Sequence, residues 1–189
     1  AFAGDPRSAF GGIVGFNHRL DGETAAAMAD IFFEVILAPD FSEEALKILR
    51  KKKNLRLIRM PAGYVEKADF KTIPGGFVYQ ERDNRACDAE AFELKAGKAL
   101  GKKEKADVEF GWKIIKYVKS NGIIIVKNQQ LIGVGAGQAS RIDSVELAIH
   151  KSQLPVTGAI LLSDAFFPFP DSVELAAKHK IAVVVETGG

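Results

Sequence analysis

The residue types best suited to chemistry fall between Ser120 and His150, in the string SNGIIIVKNQQLIGVGAGQASRIDSVELAIH. Ile123 to Val126 and Leu131 to Val134 are short apolar runs separated by the polar turn Lys127 to Gln130, the grammar of a β-hairpin. The second run ends in Gly135-Ala136-Gly137, after which Ser140 can cap a helix that starts at Arg141 and carries Ile142, Val145 and Ile149 on its apolar side. Glycines at a strand-to-helix corner let a backbone approach a ligand closely, and the first-turn N–H groups point at whatever lies beyond the strand end. A binding site is expected at this corner. The same turn also serves plain helix-on-sheet packing, and Ser120-Asn121 ahead of a strand also reads as an ordinary turn.

A second stretch, Ser163-Asp164-Ala165-Phe166-Phe167-Pro168-Phe169-Pro170-Asp171, is too apolar for a common surface loop. Its plainer reading is core packing. The three histidines, His18, His150 and His179, sit after a strand, at a helix end and in the polar segment Ala176 to Lys180, and each reads as a solvent residue. Cys87 is the only cysteine, and there is neither an H-x-E with paired cysteines nor a histidine pair at ligand spacing, so no catalytic metal is expected.

The elements that must position these residues form a repeating strand–helix order. Gly11-Gly12 is a small-residue corner before the strand Ile13 to Phe16. Thr24 to Asp30 is a short alanine-rich helix behind Asp21 and Glu23. Val35 to Leu37 is a strand ended by Pro39, and Ser42 opens a helix with Ala45, Leu46 and Leu49 inward that runs to Lys53-Asn54. Leu55 to Ile58 is the next strand. Pro61 to Lys71 breaks the regularity, Ile73 to Gln80 is a turn and a strand, and Glu81 to Lys105 is charged and poorly periodic. A helix over Val108 to Val118, with Trp112 and Tyr117 partly buried, leads to Ser120. The strand Ala159 to Leu162, a helix over Asp171 to His179 with Val173, Leu175 and Ala176 inward, and the strand Ile181 to Val185 complete the chain. Successive βα units with short connections predict a layered α/β fold with a mixed, mostly parallel sheet.

With 189 residues, 47% hydrophobic and 26% charged, the chain can bury a sizeable core. Its 26 basic and 24 acidic residues are interspersed, so neither a nucleic acid nor a membrane surface is an expected partner. No apolar run approaches the roughly 18–20 residues of a membrane span, and the expected location is the cytoplasm. Ala1 is not an initiator methionine and Gly189 follows closely on a strand, so both ends are expected to be cuts in a longer protein.

The string SN-x₁₁-G-x-G-A-G-Q-x-S-R together with SDAFFPFPD resembles the aminoimidazole carboxamide ribonucleotide (AICAR) formyltransferase domain of the bifunctional purine-biosynthesis enzymes. Asp5-Pro6-Arg7-Ser8-Ala9-Phe10-Gly11-Gly12, Glu34-Val35-Ile36-Leu37-Ala38-Pro39 and Lys51-Lys52-Lys53-Asn54 agree with it, in the family's order and across nearly the whole chain. The resemblance implies formyl transfer from 10-formyltetrahydrofolate to AICAR, with Asn121 polarising the formyl group and Lys53 and Arg141 engaging anionic or polar parts of nucleotide and folate. It places Phe166 near the nucleotide and Gln138 and Ser140 among the nucleotide contacts. It sets Phe10, Gly11, Gly12, Glu34, Asp164, Pro168, Phe169 and Asp171 around the folate. Helix capping or turn closure remains the alternative for Gln138, Ser140 and Asp164. The family's Lys-His proton shuttle belongs ahead of Ala1, and its site is built across a homodimer.

The fold implied is a pair of cytidine-deaminase-like lobes, here residues 1–80 and 107–189 joined by a charged connector over 81–106, without the zinc ligands of the deaminases. A non-catalytic nucleotide- or folate-binding module of the same fold is the rival reading.

Overall fold

The computed structural model describes residues 2–6, 8–61, 63 and 66–188. The chain is α/β, and its contacts gather into two units, Arg7–Asn84 and Arg85–Gly189 together with Ala1–Pro6.

In the first unit β1 (Gly12–Gly15), β2 (Phe33–Ala38) and β3 (Arg56–Arg59) form a parallel sheet in that order. α1 (Gly22–Ala27) and α2 (Glu43–Leu49) provide the crossovers. Asp21 caps α1 by accepting the Thr24 N–H at 2.8 Å, which starts that helix two residues before the expected Thr24. Ser42 caps α2 through the Ala45 N–H at 3.1 Å. That helix ends at Leu49 rather than near Lys53-Asn54. Past Leu49 the chain tightens into i→i+3 bonds, from the Lys51 N–H to the Ile48 carbonyl at 3.4 Å and from the Lys52 N–H to the Leu49 carbonyl at 3.0 Å, and the Lys52 ammonium donates to the Ile31 carbonyl at 2.5 Å. Leu20, Ala25, Phe33, Ile36, Phe41, Ala45 and Leu49 make the core between the helices and the sheet. A strand that the sequence did not suggest, β4 (Ala68–Ile73), pairs antiparallel with β5 (Gly76–Glu81) in a separate hairpin.

In the second unit α3 (Lys102–Ile115) begins six residues before the expected Val108, inside the stretch read as connector, which also holds a 3-10 turn at Ala89–Ala91. The charged start of α3 hides its period, yet Asp107, one of those residues, is buried. The remaining elements are β6 (Ile123–Lys127), β7 (Gln130–Gly135), α4 (Arg141–Lys151), β8 (Ile160–Ser163), α5 (Asp171–Lys178) and β9 (Val183–Val185). The sheet order is β7-β6-β8-β9, with β6 antiparallel to both neighbours and β8 parallel to β9. The mostly parallel expectation therefore holds for the first unit and not for this one, since a hairpin turn fixes β7 antiparallel to β6.

Alternate side chains go to opposite faces of this sheet. Ile123, Ile125 and Leu161 join Val145 of α4 and Ala176 of α5 in one core cluster. Ile124, Val126, Ile160 and Leu162 join Val108 and Ile115 of α3 in another. Two exceptions correct the expected pattern: Tyr117 and Val173 are exposed, Tyr117 because α3 ends at Ile115. The hairpin turn between β6 and β7 places Asn128 and Gln129 both at φ 53°. Their N–H groups are accepted by the buried carboxylate of Asp107 at 3.0 and 2.5 Å.

Candidate functional site

β6, β7, α4 and β8 bring one polar cluster together in the second unit. Gly135 ends β7 so close to α4 that a Cβ built there would lie 1.9 Å from the Ser144 carbonyl oxygen, so only glycine permits this approach. The chain then turns through Gly137, whose N–H donates to the Lys119 carbonyl at 2.8 Å, and enters α4 at Ser140. The Ser140 hydroxyl accepts the Asp143 N–H at 3.2 Å, which makes it the helix cap.

Asn121, just ahead of β6, faces this turn. Its Nδ2 donates to the carbonyls of Gln138 and Ala139, each at 3.1 Å, and its Oδ1 accepts from Arg141 Nη2 at 2.9 Å. Its own carbonyl accepts the Ser144 hydroxyl at 2.8 Å, and the Ser120–Asn121 peptide is cis. The Gln138 side chain donates to the Ala136 carbonyl at 2.9 Å, folding over the turn. Arg141 Nη1 donates to Ser163 Oγ at 3.0 Å and to Asp164 Oδ1 at 2.5 Å. These contacts engage three of the five guanidinium N–H donors. The side chains of this ion pair are 12% and 18% exposed.

Burial by itself would raise the pKa of Asp164, but hydrogen bonds from the Ser120 hydroxyl, Arg141 and the Gly122 backbone, with the Arg141 charge, outweigh it and hold the carboxyl below its ordinary value. The cluster therefore offers an oriented amide and a fixed, neutralised cation at a glycine corner. Those groups can hold a polar or anionic ligand and meet charge that develops on it.

Beyond Asp164 the phenylalanine loop divides. Phe167 packs against the core below it, and its N–H donates to Glu186 Oε2 at 2.8 Å. Phe166 and Phe169 stand 48% and 68% exposed, so core packing does not account for the run. Pro168 and Asp171 are exposed as well, and Asp171 Oδ1 accepts the N–H of Ser172 at 2.6 Å.

The first unit holds the remaining candidates. Gly11, at φ 75°, donates its N–H to the Phe32 carbonyl at 3.0 Å, and Gly12 donates to the Ala9 carbonyl at 3.1 Å. A Cβ on Gly11 would lie 3.8 Å from Glu34 Oε1, which sets that carboxylate at the same corner. Phe10, 81% exposed, leans on Phe32 with ring centroids 4.9 Å apart. Lys53 lines a cavity of about 300 Å³ with Asp30, Phe32 and Phe33. The structure thus gathers Asn121, Gln138, Ser140, Arg141 and Asp164 in one unit, and Phe10, Gly11, Gly12 and Glu34 at one corner of the other.

Sequence reasoning missed Ser144, Ser163 and Phe32. Ser144 lies one helical turn after Ser140 on the same face, and Phe32 follows from alternation, since only one of Phe32 and Phe33 can face the core. Ser163 opens the SDAFFPFPD string, but nothing in that string marked its hydroxyl as a partner of Arg141, and its burial is decided by β8 being an inner strand of the sheet. Among the described residues no group of three or more His, Cys, Asp or Glu is placed to hold a metal ion.

Residues 1–151 match the sequence pattern of the AICARFT/IMPCHase bienzyme family. The chain belongs to that family. Within the AICARFT/IMPCHase bienzymes it is 44% identical over 189 residues to the bifunctional purine biosynthesis protein PurH of Thermoanaerobacter sp. (strain X514), covering 100% of this chain and 37% of that protein. The PurH proteins of Aquifex aeolicus (strain VF5) and Persephonella marina (strain DSM 14350 / EX-H1) are 43% and 45% identical, over 98% and 100% of this chain. They are covered to 37% and 38% of their own lengths, so the chain spans less than two-fifths of the curated relatives it matches.

Proposed function

We propose that this chain is part of an enzyme that transfers a formyl group from 10-formyltetrahydrofolate to AICAR, giving formyl-AICAR on the route to IMP. The observation that carries the reading is the Asn121–Arg141–Asp164 cluster at the glycine corner, in a chain of the AICARFT/IMPCHase family. In this transfer the amine nitrogen of AICAR bonds to the formyl carbon, the carbonyl oxygen takes up negative charge, and the folate nitrogen leaves with its electron pair. The incoming amine loses a proton and the leaving nitrogen gains one. Donors aimed at the developing oxyanion lower that barrier, and Asn121 supplies one when the formyl oxygen displaces the Gln138 or Ala139 carbonyl from its amide, with Arg141 holding Oδ1 in place. Arg141 keeps donors for the ligand while Asp164 fixes its plane. Phe169 and Asp171 flank the folate ring, and Phe10, Gly11, Gly12 and Glu34 supply a second ring-binding corner, with Phe166 and Lys53 on the nucleotide side.

The same reading takes residues 1–80 and 107–189 as parts of two cytidine-deaminase-like lobes joined by 81–106, working without a metal, as a homodimer in the cytoplasm. Among the described residues no helix is long and apolar enough to cross a membrane.

The rival, a nucleotide- or folate-binding module without turnover, is favoured by one feature: both hydrogens of the Asn121 amide are engaged by protein carbonyls. Formyl-AICAR production by the full-length protein and its Asn121→Ala variant separates the two. Loss of turnover with binding retained supports the enzyme, and no turnover in the unaltered protein leaves the module.

A further inference from the structure

Asn121 takes its hydrogen-bond partners from one short segment, residues 138–144. Its amide meets the Gln138 and Ala139 carbonyls and the Arg141 guanidinium, and its own carbonyl accepts the Ser144 hydroxyl at 2.8 Å. On either side of it the chain is held by backbone N–H groups, since Gly137 donates to the Lys119 carbonyl at 2.8 Å and Asp164 to the Gly122 carbonyl at 3.1 Å. At Asn121 the donor is a side chain.

A serine inside a helix ordinarily returns its hydroxyl to the carbonyl four residues back. Ser144 lies within α4, yet its Oγ is 3.5 Å from the Ser140 carbonyl oxygen and 2.8 Å from that of Asn121. The Ser140 carbonyl already accepts the Ser144 N–H, at 3.4 Å. A hydroxyl has one hydrogen to give, and the shorter distance assigns it to Asn121. Ser144 is 0% exposed, and β7 presses on its backbone at Gly135, so solvent does not stand in for the bond.

We infer that Ser144 is a positioning residue for formyl transfer, its hydroxyl fixing the Asn121 backbone against the first turns of α4 so that the amide meets the formyl oxygen in register with Arg141. The inference rests on the formyltransferase reading. Both amide hydrogens of Asn121 are engaged by the Gln138 and Ala139 carbonyls, and the formyl oxygen takes one of them. That exchange loosens the side-chain ties of Asn121 just when its place matters most. The Ser144 bond goes to the backbone and survives it. A misplacement of about 1 Å in a group that orients reacting atoms costs on the order of 100-fold in rate.

The test uses initial rates of formyl-AICAR production by the full-length protein. Ser144→Ala is expected to lower kcat roughly tenfold or more, with the KM for AICAR and for folate staying within about twofold of the unaltered protein. Ser144→Cys, whose thiol is a weak donor, is expected to recover part of kcat, and it carries the comparison where the alanine variant does not fold. A residue that served the fold alone would add its cost in any background. Asn121→Ala removes the amide but keeps the backbone carbonyl that Ser144 holds. Adding Ser144→Ala to it is therefore expected to leave kcat within about twofold, while lowering the denaturant midpoint by as much as it does alone. A kcat for Ser144→Ala within about twofold of the unaltered protein, or a roughly tenfold loss repeated in the Asn121→Ala background, overturns the positioning role while the formyltransferase reading stands. No turnover by the unaltered protein overturns both.

Discussion

Arg141 at the start of α4 and Asp164 just past β8 are joined by a 2.5 Å ion pair, and Asn121 holds the second guanidinium nitrogen at 2.9 Å. Three segments far apart in the chain are thereby fixed to one side chain.

The pair sets a pH dependence with a definite sign. The Asp164 carboxyl is lowered from its ordinary 3.8 in the folded protein, so between the two values the unfolded chain binds more protons and stability falls as pH falls. Its contribution is complete above the unfolded value and is lost as pH drops through the folded one. Denaturant midpoints measured from pH 7 down to pH 2 should show an acid slope in the unaltered protein that Asp164→Asn reduces below pH 4. At neutral pH that variant should lose about 2–3 kcal/mol, because Arg141 keeps its charge without a counter-ion.

Asn121→Asp tests the amide separately from the side-chain volume. A carboxylate still accepts from Arg141 but cannot donate to the Gln138 and Ala139 carbonyls, so the turn before α4 loses both anchors. Formyl transfer by the full-length variant is expected to fall at least roughly 100-fold in kcat, the scale of losing one oxyanion donor. A fall confined to KM would assign Asn121 to binding alone.

Gly135→Ala drives a methyl group into the Ser144 carbonyl, which is backbone and moves only with α4. The expected cost is about 3 kcal/mol or more of unfolding free energy, and thermal melts of the variant should show it. A change within 0.5 kcal/mol, the range of an ordinary surface substitution, would mean that the approach of α4 to β7 is looser than described.

Glu186 sets the phenylalanine loop by accepting the Phe167 N–H at 2.8 Å. Glu186→Ala should raise the KM for both AICAR and folate several-fold with a smaller effect on kcat, because Phe166, placed on the nucleotide side, and Phe169, placed on the folate side, lose their common anchor. Glu186→Gln keeps a side-chain acceptor and should restore most of the affinity, a rescue measurable in initial-rate titrations.

Asp107→Ala removes the acceptor for two N–H groups in the left-handed turn at Asn128 and Gln129. The expected loss is about 2 kcal/mol, read from denaturant midpoints. Asp107→Asn, which retains one acceptor oxygen, should recover part of it.

Local patterns settled much of this protein. The apolar runs at Ile123 and Leu131 around a polar turn fixed the β6–β7 hairpin, and Ser140 before an apolar period fixed the start of α4, because capping and hydrogen-bond closure depend on residues only a few positions apart. The string from Ser120 to Arg141 with the phenylalanine loop also pointed to the family that residues 1–151 match. Other features were decided only by tertiary contact. Lys102 to Lys105 reads as a charged linker until Asp107 and Val108 are buried against the β6–β7 hairpin, so packing and not propensity starts α3 there. Whether Phe166 and Phe169 lie in the core or in solvent depended on Phe167 taking the inward place above the sheet. The Asn121–Arg141–Asp164 geometry joins residues 20 and 23 positions apart, and a contact of that range follows from strand order, which no local sequence signal encodes.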